Sequence, residues 1–288
     1  MKRISPFVLG LSLAVFGTTL AAAQEMSSMP KVLEITREYV KPGKAGAAHD
    51  HTESAFVQAM ARAKWPTYYV AVNSLSGKVR ALYLIGYDSF TAWQKDSDAV
   101  GKDMTLAAEL DHASMADGEL LDSMDQFVFY YDDDLSYRPN GDLSQARYLE
   151  VTSFHIRSGH GKEWHDLVAL VIDADKKAGT SAHWATYELE YGGGDDYAVF
   201  SADKSMADID QGFAENQKFR DAMGEDGMKR LHELEASAIE STDSELFAIN
   251  PRQSYPPPEW VKANPDFWKP KPTMAPAAKP STDKKPKP

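Results

Sequence analysis

Sliding the chain along itself by 116 residues brings Leu33-Glu34-Ile35-Thr36 onto Leu149-Glu150-Val151-Thr152, Gly43 onto Gly159, and His49-Asp50 onto His165-Asp166. Six of the 18 positions from Leu33 to Asp50 are identical in this register. Farther on, Tyr68 meets Trp184, Gly77 meets Gly193 and Ser89 meets Ser205. A duplication of one unit explains this register better than chance.

Each copy reads in the same order. In the first, Lys31 to Lys41 is a β-branched strand ended by Pro42-Gly43, and Ala45 to Lys64 is a helix stopped by Trp65-Pro66. Tyr68 to Asn73 and Val79 to Tyr87 form a hairpin around Ser74, Ser76 and Gly77. Phe90 to about Met124 is helical with breaks near Gly101 and Gly118, and Phe127 to Tyr131 is a short strand. The second copy predicts a strand Arg147 to Arg157, a helix Lys162 to Ala178, and a hairpin Ala182 to Phe200 turning at Gly192-Gly193-Gly194. Helices from Ala207 to Ser241 and a strand Leu246 to Ile249 complete it. This is the βαββαβ order of the ferredoxin-like module, so the class is α+β, with modules at 31–139 and 147–257.

Val79 to Ile85 and Tyr197 to Phe200 are apolar on both pleat faces, so both faces should be covered. Helices cover one face of such a module, and the second copy can cover the other. The expected architecture is an intramolecular dimeric α+β barrel, a pseudo-dimer within one chain with helices outside.

Before the repeats, Lys2 and Arg3, the apolar stretch Phe7 to Leu20 and Ala21-Ala22-Ala23 read as a signal peptide over residues 1–23. The apolar stretch is short for a spanning helix and contains Gly10 and Gly17, so an exported, periplasmic or extracellular product that does not span a membrane is expected. Cysteine is absent, which removes disulfides, thiolate nucleophiles and thiolate metal sites. The formal charge is -12, and the loss of Lys2 and Arg3 makes the remainder more acidic, which disfavours nucleic acid as a partner. Seven lysines fall between Lys262 and Lys287 among prolines, so 261–288 reads as a disordered basic tail. The aromatic stretch Ser254 to Trp268 just before and within it reads either as a strap over an open barrel end or as a flexible stalk.

Glu34 to Lys44 (EITREYVKPGK) and Leu84 to Trp93 (LIGYDSFTAW) resemble the first strand with its Pro-Gly-Lys turn and the strand-to-helix junction of NIPSNAP-like proteins. These lie within the dimeric α+β barrel group, together with antibiotic-biosynthesis monooxygenases. The second copy departs from the pattern by losing the proline at Ser158. The resemblance implies the fold. The group hosts enzymes, haem binders and proteins of other roles, so it does not choose an activity.

The chain has no Gly-x-Ser-x-Gly elbow, no P-loop and no His-Glu-x-x-His helix, since His232-Glu233 is followed by Leu234, Glu235 and Ala236. Four residues are candidates for acid–base work. His49 and His165 each precede an aspartate early in a helix, and Glu34 and Glu150 share strand positions in the two copies. If Leu33, Ile35, Leu149 and Val151 meet the helices, Glu34, Glu150, Thr36 and Thr152 look into the barrel; the plainer alternative is a solvated rim. Tyr68 and Trp184, with Thr36 and Thr152, are candidate ligand-binding residues, the aromatics being equally suited to core.

His49 and Glu53 share a helix face, but Ala169 replaces the glutamate in the second copy, so no metal is predicted. No cofactor is predicted either; haem held by His112 or His232 is the alternative. Three functions remain open: binding of a small apolar or aromatic molecule, cofactor-independent monooxygenase or isomerase chemistry, and a structural role for a filled barrel.

Overall fold

The strand β1 (Val32–Val40) alternates between two environments, with β-branched Val32, Ile35, Thr36 and Val40 along it, and ends where Gly43 adopts φ 79°. Helix α1 (Ala47–Ala63) follows, and then β2 (Tyr69–Ser74), β3 (Arg80–Tyr87), α2 (Phe90–Lys102), α3 (Met104–Gly118) and β4 (Leu121–Tyr137). The second half runs β5 (Tyr148–Ile156), α4 (Gly161–Ala178), β6 (Trp184–Tyr191), β7 (Tyr197–Asp203), α5 (Met206–Ala238) and β8 (Ile239–Ile249). Two short helices, α6 (Pro258–Ala263) and α7 (Pro265–Trp268), come last. This computed structural model describes residues 28–193 and 196–269; the expected signal peptide and residues 270–288 of the expected tail lie outside the described residues.

The matched serines at 89 and 205 are helix N-caps. The Ser89 side chain accepts from Ala92 N, and Ser205 forms a capping box with Asp208. Helix α5 is bent at Gly224, whose φ of 68° and ψ of 174° interrupt the helical backbone.

All strand pairs are antiparallel, and the order β1-β3-β2-β8-β5-β7-β6-β4 closes on itself. Within the first half the order is β4-β1-β3-β2, and within the second β8-β5-β7-β6, so the halves match strand for strand. Two seams join them: β2 with β8, where Val72 faces Ile249, and β4 with β6, where Tyr130 faces Glu188. The result is a mixed α+β fold around a closed eight-stranded barrel without an open sheet edge.

Two strands are longer than their apolar stretches suggest. β4 spans 17 residues rather than Phe127 to Tyr131, and β8 spans 11 rather than Leu246 to Ile249. Polar residues such as Ser123 and Asp125, and the segment Ser241-Thr242-Asp243, still pair through their backbones, with β1 and β5 respectively, while Asp122 is bulged out of the ladder.

The barrel interior is apolar. Leu33 and Ile35 from β1, Val70 and Val72 from β2, Leu149 and Val151 from β5, and Tyr187, Phe200 and Phe247 form one cluster. The C-terminal segment joins it as a strap. Tyr69 and Tyr255 exchange backbone hydrogen bonds of 3.0 Å, and Trp268 packs against the cluster, 3% exposed, with its Nε1 donating to Ser144 O at 2.9 Å. Residues 261–269, expected in the disordered tail, are therefore part of the folded body; the indole of Trp268 supplies the apolar area that holds them down.

Candidate functional site

The lumen is not filled along its whole length. A cavity of about 840 Å³ opens at the end formed by the starts of β1, β2, β5 and β6, and Leu33, Val70, Leu84, Leu149, Tyr187 and Phe200 line its depth. Tyr68, Trp184 and Trp260 stand at its mouth with Asn140, His183, Lys95 and Asp96. The opposite end is closed by charge: Arg80 pairs with Glu245, Arg37 donates to Asp125 Oδ2 at 2.8 Å, and the Arg37 guanidinium lies 4.6 Å from the centre of the Phe127 ring. The lumen is thus a pocket with one mouth, apolar in depth and polar at the entrance, the usual form of a small-molecule site.

Tyr68 and Trp184 both lie on this cavity. Tyr68 packs on Tyr255 with ring centres 5.2 Å apart, and Trp184 is anchored by Nε1 donating to Leu135 O at 2.8 Å.

Thr36 and Thr152 do not join them, and neither do the glutamates. The expectation that Glu34, Glu150 and the threonines look into the barrel is overturned, because their alternate neighbours Leu33, Ile35, Leu149 and Val151 fill the lumen. Closure decides the face. A barrel interior is drier than the seam between barrel and helices, so the apolar set goes inward. Glu34 instead lies beside Trp93 and Asp96 of α2, and burial followed by the Asp96 charge raises its pKa. Glu150 lies beside Asp203 on a separate groove, where burial and then that carboxylate raise its pKa. The Thr152 hydroxyl meets that of Ser244 at 3.0 Å.

The repeated histidines part company. His165 is exposed on α4, whereas His49 is 2% exposed and sits between the barrel wall and the helices. His112 and His232, the residues considered for haem, are both exposed.

Around His49 lies a group that the sequence reading did not assemble. Glu38 of β1, His49 and Glu53 of α1 and Asp117 of α3 are all buried, and one ligand atom from each lies within 4.8 Å of the others. His49 Nε2 is 3.1 Å from Glu38 Oε2 and 3.5 Å from Asp117 Oδ1, and Thr52 Oγ1 donates to Asp117 Oδ1 at 2.6 Å. Behind the imidazole, the buried Gln253 amide lies 3.3 Å from Nδ1 and also donates to Asp50 Oδ1. The aspartate of the His49-Asp50 pair therefore anchors the turn after β8.

Three carboxylates cannot all ionise in so small a dry space. Burial, then the charges of Glu38 and Asp117, push the Glu53 carboxyl up to about 10, and burial also raises Glu38. His49 and Glu53 were legible as an i,i+4 pair; Glu38 and Asp117 come from β1 and α3, and only the fold brings them in.

No family model matches the chain, and no curated protein matches it. Among solved structures, a "putative monooxygenase" from Fusobacterium nucleatum subsp. nucleatum aligns with a TM-score of 0.51 at 10% identity, covering 77% of this chain and 93% of that one. One described in the same words from Lactobacillus acidophilus NCFM aligns at 0.47 and 5% identity over 77% and 94%. A mutant chlorite dismutase from Candidatus Nitrospira defluvii, in complex with cyanide, aligns at 0.47 and 9% identity over 85% and 99%. At such identities the likeness is one of fold alone.

Proposed function

We propose that this chain binds a small apolar or aromatic molecule in its barrel, outside the cytoplasm, as a pseudo-dimer of two ferredoxin-like modules that arose by duplication. The NIPSNAP-like features of the first strand and of the junction into α2 belong to the same reading. The observation that carries it is the cavity of about 840 Å³, apolar in depth, with Tyr68, Trp184 and Trp260 at its only polar-rimmed mouth among the described residues. A barrel serving only as a scaffold would gain by filling that volume, since each unfilled methyl-sized void costs about 1 kcal/mol. Glu34, Glu150, His49 and His165 are absent from the cavity lining, so the monooxygenase or isomerase alternative would have to draw its acid–base group from His183, Lys95 or Asp96 at the mouth.

The test is titration with an apolar fluorophore, 1-anilinonaphthalene-8-sulfonate, against the native protein and Leu84→Trp, whose indole would occupy the lumen. Saturable binding at one site, weakened at least tenfold by Leu84→Trp and unchanged by the exposed control Leu75→Trp, is expected. Equal binding by Leu84→Trp would remove the cavity as the site. The export component is tested by the N-terminal sequence of the mature chain, expected to begin after Ala23.

A further inference from the structure

The two halves of the barrel treat one location in opposite ways. In the second half, the seam between β5, β7, α4 and α5 is an aromatic core: Phe154 lies 4.7 Å from Trp164, and Trp164 lies 5.3 Å from Tyr197, ring centre to ring centre. The repeat register puts Phe154 where the first half has Glu38, Ala169 where it has Glu53, and Val199 where it has Tyr83. The fold therefore does not need polar groups there. The first half nonetheless buries three carboxylates and an imidazole at that place, with no lysine or arginine ion-paired to any of the four among the described residues. Buried charge without a partner is among the most expensive arrangements in a protein.

A second observation concerns valence. Glu53 Oε1 is buried and makes no hydrogen bond of good geometry, although the Tyr83 hydroxyl lies beside the Glu53 carboxyl, and the neighbouring Tyr69 hydroxyl, on a residue less than a tenth exposed, is without a partner as well. Buried oxygens almost always have partners, so a missing one points to a group that belongs there. Glu53 reaches the cluster from one helical turn beyond His49, the spacing at which two ligands on one helix face can hold one ion.

We propose that Glu38, His49, Glu53 and Asp117 form a binding site for one divalent first-row transition ion: Mn2+, Fe2+ or Zn2+. The donor set decides the class. One imidazole nitrogen beside three carboxylates is softer than the all-oxygen sets that suit Ca2+ and Mg2+, and it lacks the thiolates that favour Cu(I). The ion supplies the positive charge that the cluster otherwise lacks. Thr52 fixes the Asp117 carboxylate, and the buried Gln253 side chain fixes the ring from the Nδ1 side, as outer groups do at metal centres. For Nε2 to ligate, the ring proton moves to Nδ1, and Gln253 Oε1 becomes its acceptor when the amide turns and gives up its bond to Asp50 Oδ1, which keeps the Asn250 Nδ2 donor.

The full-length protein, stripped with a chelator, is dialysed to equilibrium against each of the three ions, Fe2+ without oxygen, and bound metal is counted by mass spectrometry. About one equivalent of at least one ion is expected. Glu53→Gln, which keeps the shape and removes the charge, should weaken binding at least tenfold, as should Asp117→Asn. His165→Ala, on the exposed repeat of the same histidine, should bind as the native protein does. Less than a tenth of an equivalent of every ion on the native protein would overturn the proposal. So would full binding retained by both Glu53→Gln and Asp117→Asn.

Discussion

Glu38 and Phe154 occupy the same strand position in the two halves, each on the outer pleat face of the half's first strand, Glu38 opposite Ala81 and Phe154 opposite Tyr197. The carboxylate faces His49 at 3.1 Å and the phenyl ring faces Trp164 at 4.7 Å. One backbone thus accommodates either a polar knot or an aromatic stack in the same seam. The stack gains from burial alone, whereas the knot depends on how its protons and charges are shared.

That dependence predicts a pH effect in the metal-free protein. The folded Glu53 carboxyl, at about 10, holds its proton more tightly than the unfolded chain, where the ordinary value is 4.5. Its contribution to stability is fully present below pH 4.5 and is lost as pH rises toward 10. Denaturant melts with chelator present should show stability falling across that window by up to about 1.4 kcal/mol per pH unit. Glu38, raised as well, adds a change of the same sign. Glu53→Gln carries no titratable group and should flatten the slope; equal slopes in the two proteins would contradict the assignment.

The charged end of the lumen predicts a different pattern. Arg80, 7% exposed, pairs with Glu245 and lies 5.6 Å from the centre of the Phe247 ring. Arg80→Met alone strands a largely buried carboxylate and should cost about 3 kcal/mol. Arg80→Met with Glu245→Met should restore most of it, because an apolar pair of similar volume replaces a pair that had to be desolvated. Chemical denaturation of the four proteins of the cycle measures this, and additive single effects would mean that the ion pair is energetically idle.

Much of this architecture can be read from residues. The repeat from Leu33 to Asp50 places both first strands and both first helices, and the serines at 89 and 205 prove to be caps on equivalent helices. Strand length is less legible. The run Leu121 to Gln126 looks polar, yet it pairs along β1 from Thr36 to Val40, since a ladder needs backbone groups rather than apolar side chains. The orientation of Glu34 and Glu150 was missed for a related reason: with both pleat faces partly apolar, only barrel closure decides which face is drier.

Asp117 carried no signal at all. It ends a helix beside Gly118, an unremarkable place for an aspartate, and it meets Glu38 only because α3 returns beside α1. Ala169 in the second copy argued against a site when the copies were expected to agree. In the folded protein that disagreement is the most informative contrast, since it separates what the fold requires from what one half adds.

The last prediction concerns the strap. Trp268 is 3% exposed, touches Trp260 at the cavity mouth with ring centres 5.6 Å apart, and donates to Ser144 O. Beside it, the Arg147 guanidinium lies 3.8 Å from the centre of the Phe267 ring. Trp268→Ala removes a large buried ring and leaves the carbonyl of Ser144 without its donor, so a loss of about 3 kcal/mol is expected. Phe267 is part-buried, and its alanine variant should cost less. Because Trp260 lines the cavity and rests on Trp268, releasing the strap should also speed entry and exit of an apolar fluorophore, read by stopped-flow fluorescence. A Trp268→Ala protein with native stability and native exchange rates would mean that the strap rests on the barrel without closing it.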